Sequence, residues 1–130
     1  MEQLDYPKLI DPFCIPIIKY LREEKGIETL YCCQGQSKED TPTEDHSKKG
    51  YIMAIYSPQA FTEFMKIFNS HISRRDYESN EGSEIKIKRH PEVKGKVIIV
   101  RLVGKVWSSK EALKKEWDFI LSDIKQTQDI

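Results

Sequence analysis

YIMAIYSPQAFTEFMKIFNSHI, residues 51–72, contains the clearest strand and helix in this chain. Residues 51–56 are almost all apolar, which predicts a strand buried on both faces or one with an exposed aromatic face. Ser57 and Pro58 then supply an N-cap and a first-turn proline, so we expect a helix to begin there. Its apolar stripe, which we expect in the core, consists of Phe61, Phe64, Met65, Phe68 and Ile72.

The residues before this segment predict a helix, a strand and a loop. Asp11 and Pro12 are typical of a helix start in which the carboxylate is the N-cap, and Gly26 is typical of the residue after a helix end. Residues 27–33 are rich in β-forming side chains and predict a strand. Residues 34–50 are polar and predict a long loop.

The residues after it predict a polar connection, a β-hairpin and a last helix. The connection covers residues 74–83. Ile85 and Ile87 alternate with lysines, which indicates a half-exposed strand. A turn over residues 90–95 leads to a buried strand over residues 96–103. Ser108 or Ser109 caps the last helix, whose inner face is expected to carry Leu113, Trp117, Ile120, Leu121 and Ile124.

The order of these elements predicts an α+β fold, α-β-β-α-β-β-α. It contains two αββ units and a closing helix, although the two halves show no sequence repeat. We expect a four-stranded, mainly antiparallel sheet with the helices packed on one face. The length of 130 residues suits a single domain over residues 1–130, with residues 1–10 and 126–130 frayed.

The charges cancel overall but are unevenly distributed. There are 21 basic and 21 acidic residues, so net charge predicts neither a nucleic-acid partner nor a membrane partner. Residues 23–45 hold seven acids and two bases, whereas residues 86–105 hold seven bases and one acid. Such a distribution can steer a charged ligand to one face, although an ordinary polar face can also be basic.

Composition also bears on compartment and cysteine chemistry. The first eleven residues lack the apolar run of a signal peptide, and no segment approaches the roughly 20 apolar residues of a membrane span. We therefore expect no membrane association. Three cysteines are an odd number, so we do not expect a disulfide framework. We expect a reducing, cytoplasmic location.

The segment TLYCCQGQ, residues 29–36, carries a family resemblance. The preceding Gly26-Ile27-Glu28-Thr29, this segment and the strand from Tyr51 resemble small proteins of phages and mobile elements that contain Gly-Tyr-x-Thr followed by Cys-Cys-x-Gly-His. The likeness covers roughly residues 14–56. The segment is more faintly similar to a Ser-Cys-Ser-Gly-Arg strand end in wybutosine-synthesis methyltransferases. This chain has Gln36 where the first group has His and the second has Arg.

The Gly35 turn has chemistry suited to an anion. Glycine permits a positive φ, so the backbone N–H groups of Gly35 and Gln36 can face an anion. The side chains of Gln34 and Gln36 add donors and acceptors. The alternative interpretation is a plain strand-to-loop exit in which Cys32 and Cys33 are small apolar residues.

The sequence gives little support to a metal site or to catalysis. Cys14, Cys32, Cys33 and His46 lack paired zinc-ligand spacing, and adjacent strand residues point to opposite faces. No phosphate-binding glycine loop, dinucleotide fingerprint or hydrolase motif is present. We therefore expect no metal and no cofactor, and a binding protein rather than an enzyme. The alternatives are a protein-binding inhibitor using the acidic loop 34–50 and an RNA-modifying or thiol-dependent enzyme using the Cys33 region.

The resulting hypothesis is a non-enzymatic, phage-type protein that sequesters an anionic nucleotide-like ligand, as a counter-defence role would require. Nucleic acid is the competing ligand, since the same basic residues would serve it. Tyr51, Tyr56 and loop 34–50 are candidates for a homodimer contact. The predicted ligand-binding residues are Tyr31, Cys33, Gln34, Gly35, Gln36, Tyr51, Lys86, Lys88, Arg89 and Arg101. The sequence alone does not fix whether the Gly35 turn and the basic hairpin share one face.

Overall fold

The computed structural model describes residues 10–39, 50–79, 84–89, 95–103 and 107–128. A helical segment, α1, covers residues 12–24. The other elements are β1 (Thr29–Cys33), β2 (Gly50–Ile55), α2 (Pro58–Ser79), β3 (Glu84–Arg89), β4 (Lys96–Val103) and α3 (Lys110–Gln128). The expected order of helices and strands is confirmed.

The α1 segment changes its hydrogen-bonding pattern along its length. It begins as a 3-10 turn (Pro12–Cys14), continues as an α-helix (Ile15–Lys19) and ends as a π-helix (Tyr20–Glu24). Gly26 follows with a φ of 66°, which glycine adopts readily, so its predicted place after the helix end is confirmed. The predicted helix start is confirmed, with Asp11 in the N-cap position and Pro12 directly after it, but the Asp11 carboxylate makes no capping bond. This carboxylate accepts a hydrogen bond from the backbone of β1's exit instead.

The four strands form one antiparallel sheet in the order β1-β2-β4-β3. Strands β1 and β3 are therefore the edges, and β2 is a central strand paired on both sides. The register between β2 and β4 shifts between Gly50 and Tyr51. A Cβ at Gly50 would lie 2.8 Å from Cβ of Val103 and 2.9 Å from Cζ2 of Trp117, so this position has room only for glycine.

All helices pack against one face of the sheet. From the sheet, Ile52, Ala54, Ile98 and Val100 enter a common core. From the helices, this core receives Ile17, Ile18, Leu21, Phe64, Ile67, Phe68, Leu113, Trp117, Ile120 and Ile124. The predicted α+β architecture with helices on one face is confirmed, because the apolar helix stripes and alternate strand residues are buried together.

Helix α2 differs from its prediction in length and in facing. It continues to Ser79, so the predicted polar connection over residues 74–83 is wrong for residues 74–79, which contain no proline or glycine to stop a helix. Phe61 was expected in the core but is 37% exposed. The buried stripe contains Ile67 and His71 instead, because it follows the 64, 67, 68, 71 spacing of one helix face.

Helix α3 has a side-chain cap at its start and continues further than expected at its end. The Ser109 hydroxyl accepts a hydrogen bond from the Ala112 N–H at 3.1 Å, which confirms Ser109 as the cap. The helix continues to Gln128, through three of the residues that were expected to be frayed. Other predictions, for residues 1–9, 40–49, 90–94 and 129–130, lie outside the described residues.

Candidate functional site

The side of the sheet away from the helices, here called the outer face, collects most of the predicted ligand residues. Cys32, Ile52 and Val100 are buried in the core, so their strand neighbours point the other way. By this alternation and the strand register, the outer face carries Tyr31, Cys33, Tyr51, Met53, Ile55, Lys86, Lys88, Val97, Ile99 and Arg101. Six of the ten predicted ligand residues therefore share one face: Tyr31, Cys33, Tyr51, Lys86, Lys88 and Arg101.

One row of the outer face crosses the whole sheet, and its position on β3 is Glu84, the register partner of Arg101. Cys33 of β1 is paired with Tyr51 of β2, and Tyr51 is paired with Arg101 of β4. Neighbouring strands lie about 4.8 Å apart, so the Cα atoms of Cys33 and Arg101 are roughly 10 Å apart. The side chains of Cys33, Tyr51 and Arg101 are half-buried. The register thus places a thiol, a phenol and a guanidinium side by side.

The tyrosines form the β1–β2 half of the outer face. Tyr31 lies diagonally across from Tyr51 and is 44% exposed. Burial is the main reason that the pKa of the Tyr51 hydroxyl lies above its ordinary value of 10.0. Cys33, then Asp11, then Tyr31 raise this pKa further through electrostatic repulsion. These four ionisable groups are therefore near neighbours, and Tyr51 stays a neutral hydrogen-bonding phenol.

The basic residues form the β3–β4 half of the same face. Lys86 and Lys88 are exposed on the edge strand β3, opposite Ile99 and Val97 of β4. Arg101 lies on β4 between this edge and Tyr51. The described side chains of the outer face are consequently aromatic on one side and cationic on the other, while the acidic Glu84 occupies the β3 register position paired with Arg101. Part of it is covered, since Met53 and Val97 are buried there.

Arg89 does not join the other predicted residues. It follows the alternation of Ile85 and Ile87 on β3, which is the helix-facing set. It also pairs with Lys96, at the end of the sheet away from Cys33. The side chain is exposed, because the helices do not cover this corner and Ile87 beside it is 41% exposed.

The Gly35 turn is built into the protein interior. Gln34 is buried, its N–H donates to Oδ2 of Asp11 at 2.9 Å, and its Oε1 accepts from the N–H of Phe13 at 3.2 Å. Its carbonyl accepts a 2.8 Å hydrogen bond from Nε1 of Trp117. Gly35 has the expected positive φ, 90°, and a Cβ there would lie 3.3 Å from the backbone N of Gly50.

The rest of the turn is paired with the segment before α3. The Trp107 N–H donates to the Gln36 carbonyl at 2.9 Å, and the Lys38 N–H donates to the Trp107 carbonyl at 2.8 Å. Ser37 and Trp107 form an isolated parallel bridge. The contacts described for residues 34–36 are therefore with other residues of the protein. These contacts hold the end of β1 in place beside the outer face.

Two groups near the site were not anticipated from the sequence. Asp11 was assigned to a helix cap, but its carboxylate lies at the exit of β1. Cys14 and Cys32 form a disulfide, with Cα atoms 6.5 Å apart, so the expectation of no disulfide is wrong. An odd cysteine count leaves one thiol over, and that thiol is Cys33. No local sequence signal pairs positions that the fold alone brings together.

The residues that the structure describes contain neither a metal-binding cluster nor a membrane-spanning helix. No group of three or more His, Cys, Asp or Glu side chains in that part of the chain is arranged to hold a metal ion. Of the zinc ligands considered, Cys14 and Cys32 are bonded to each other, and His46 lies outside the described residues. Within the same ranges, no helix combines the length and apolarity needed to cross a bilayer.

A concavity lies at the end of the sheet away from Cys33. Its volume is about 250 Å³, and it is bordered by the turn before β1, the end of β2 and the first turns of α2. Ile27 and Ile55 contribute apolar surface, while Lys25, Glu28 and Glu63 contribute opposite charges. Its mixed charge does not match an anionic ligand.

Comparisons with protein-family models, curated proteins and solved structures each found no match to this chain.

Proposed function

We propose that this protein binds an anionic nucleotide-like ligand on the outer face of its sheet, without chemically changing it. The observation that carries the proposal is the pairing of Tyr51 with Arg101 on adjacent strands. An aromatic ring and a guanidinium in neighbouring positions match the two chemical parts of a nucleotide, the base and the phosphate.

The aromatic half of the face supplies the contact to a base. Tyr31 is largely exposed, and Tyr51 remains half-exposed on the same face. Stacking of a base on an aromatic side chain contributes about 1–3 kcal/mol and depends little on which base is present. The Tyr51 hydroxyl, like that of any tyrosine, is protonated at neutral pH, so it can donate a hydrogen bond to a base or a phosphate.

The cationic half supplies the contact to a phosphate. A guanidinium such as that of Arg101 can bind two phosphate oxygens at once, and Lys86 and Lys88 add positive charge at the β3 edge. Asp11 lies on the opposite side, at the end of β1, where its carboxylate repels a phosphate. This polarity orients the ligand with its base over β1 and β2 and its phosphate over β4 and β3.

The sequestering role and the phage origin rest on the motif resemblance around residues 29–36. A protein that withholds a signalling nucleotide must bind it tightly and leave it intact, which agrees with the non-enzymatic hypothesis. A cytoplasmic location is part of the same proposal, since such signals are made there. A homodimer contact through Tyr51 would compete with the ligand for that side chain, whereas Tyr56, the other predicted contact residue beside loop 34–50, packs against the core and lies off the outer face.

The test is a binding screen by thermal shift and calorimetry against cyclic dinucleotides, cyclic trinucleotides, cyclic ADP-ribose isomers and short oligonucleotides. A true ligand raises the melting temperature with increasing concentration. Arg101→Gln is expected to weaken binding by about 10- to 150-fold, as expected for loss of a charge-assisted hydrogen bond. Arg89→Gln is the matched control and should bind normally, because that arginine lies off the outer face.

Three outcomes of this screen would reject the proposed function or replace it with another. Absence of any shift at millimolar concentrations of every compound rejects the proposal. Binding of oligonucleotides alone, with affinity that falls steeply as salt rises, identifies nucleic acid as the ligand. Chemical conversion of a bound nucleotide that stops in Cys33→Ser would identify an enzyme instead.

A further inference from the structure

The Cys14–Cys32 disulfide lies on the core side of β1, opposite the face that carries the proposed ligand site. Cys32 projects to the core, and its two neighbours on β1, Tyr31 and Cys33, project to the outer face. Cys33 is in turn paired with Tyr51. The backbone that presents half of the aromatic surface is therefore covalently fixed to the first turn of α1.

Two hydrogen bonds join the same two segments beside the disulfide. The Gln34 N–H donates to Asp11 at 2.9 Å, and the Phe13 N–H donates to the Gln34 side chain at 3.2 Å. Residues 11–14 and 32–34 are thus held by one covalent bond and two hydrogen bonds. β1 is an edge strand with a single neighbouring strand, so this clamp fixes the side that β2 does not.

We propose that the redox state of Cys14–Cys32 regulates ligand affinity at the outer face; this rests on the proposed function. A dithiol reductant transfers two electrons and two protons, the S–S bond breaks to give two thiols, and the reductant becomes a disulfide. Without the bond, the 3-10 turn is held to β1 only by hydrogen bonds and packing. Tyr31 and Cys33 stay paired with β2, but they and Asp11 are then held less firmly on the α1 side, so a ligand must order them further on binding and binds more weakly.

The experiment begins with the full chain purified without reductant. Thiol titration of the denatured protein should find one reactive thiol, that of Cys33, and three after reduction. Three thiols before reduction would overturn the proposal. Calorimetry with the compound found in the screen should then show affinity about fivefold weaker in the reduced protein. Cys14→Ser should match the reduced protein in either condition.

Hydrogen exchange at the Gln34 amide gives a second readout that needs no ligand. Reduction should speed exchange of this amide, because its acceptor Asp11 is no longer tethered, while the β4 amide of Ile98 serves as an internal reference. Equal affinity and equal Gln34 exchange in both redox states would mean that the disulfide is only a structural crosslink, which overturns the inference. If no compound binds in either state, the proposed function fails, and Gln34 exchange alone decides whether redox state controls this end of β1.

Discussion

The indole Nε1 of Trp117 donates a 2.8 Å hydrogen bond to the carbonyl oxygen of Gln34, which lies 83 positions earlier in the chain. Trp117 belongs to the buried face of α3, and Gln34 is the first residue after β1. The bond therefore joins the closing helix to the exit of an edge strand. It places the end of β1, and with it the outer-face row beginning at Cys33, in a fixed position relative to the core.

Replacing Trp117 by Phe tests this connection. The variant keeps an aromatic ring but leaves the buried Gln34 carbonyl without its indole donor and leaves a void beside Gly50. We expect the free energy of unfolding to fall by about 2–4 kcal/mol. Urea denaturation measures the change. Phe119→Leu, on the exposed side of the same helix, is the control and should change stability by less than about 0.5 kcal/mol.

Replacing Gly50 by Ala tests the close packing at the start of β2. The new methyl group would meet the side chains of Val103 at 2.8 Å and Trp117 at 2.9 Å, so the strands or the helix must move. We expect a loss of about 1–3 kcal/mol in unfolding free energy. Val103→Ala in the same chain should not recover this loss, because alanine keeps the Cβ atom that lies 2.8 Å from the new methyl group. A Gly50→Ala protein as stable as the wild type would show that the site is looser than the distances indicate.

Replacing Arg22 by Met tests a buried polar contact that links α1 to β1. The Arg22 guanidinium donates to the Thr29 carbonyl at 2.9 Å and to its hydroxyl at 3.2 Å. Methionine has similar length but no donor, so we expect unfolding free energy to fall by about 1–3 kcal/mol. Lys19→Met, at an exposed position of α1, is the matched control. A similar loss in both variants would assign the effect to general helix propensity.

Alkaline pH should weaken the fold through Tyr51. Its pKa in the folded protein lies above 10.0, chiefly because the hydroxyl is partly buried. Above pH 10 the unfolded chain releases this proton more readily than the folded protein, so stability falls as pH rises from about 10 through the folded pKa. Below pH 10 the group has no such effect. Tyr51→Phe should be less sensitive than the wild type in denaturation experiments at pH 9 and pH 11.

Ultraviolet difference spectroscopy gives a direct check of the same ionisation. The wild-type titration curve minus that of Tyr51→Phe should isolate one tyrosine that ionises later than a free tyrosine. A midpoint at or below the ordinary value would contradict the observed surroundings of the hydroxyl. Cys33→Ser should shift the midpoint downward, because it removes one source of repulsion.

Local patterns in the sequence were sufficient to predict the helices and strands and their order along the chain. The run over residues 96–103 is uninterrupted by glycine or proline, and β4 has the predicted bounds. The Ser57-Pro58 pair begins α2 as expected, and the Ser57 hydroxyl accepts a hydrogen bond from the Ala60 N–H at 3.0 Å. These features depend on residues a few positions apart, so they are visible without a structure.

The candidate site was only partly predictable because its contacts are long-range. Alternation along each strand correctly grouped Lys86 with Lys88, but the sheet order was needed to bring Arg101 beside Tyr51. The Gly35 turn has the predicted positive φ, yet Gln34 is occupied by Asp11, Phe13 and Trp117, all distant in sequence. Whether the six predicted residues on the outer face bind a ligand stays a prediction that the binding screen will test.

The sheet order also has a consequence for how the chain folds. Strands β1–β2 and β3–β4 are each consecutive along the chain, whereas the central β2–β4 contact joins Gly50 to Val103 and Ile55 to Val97. The β2–β4 pairing closes the longest chain segment between paired strands of the sheet. The loss of chain entropy on closing this loop must therefore be met before the β2–β4 contacts stabilise the fold. Folding should therefore be limited by docking of the two halves across β2 and β4. Substitutions at Ile52 or Val100 should slow folding more than substitutions of equal cost at the β1 or β3 edges.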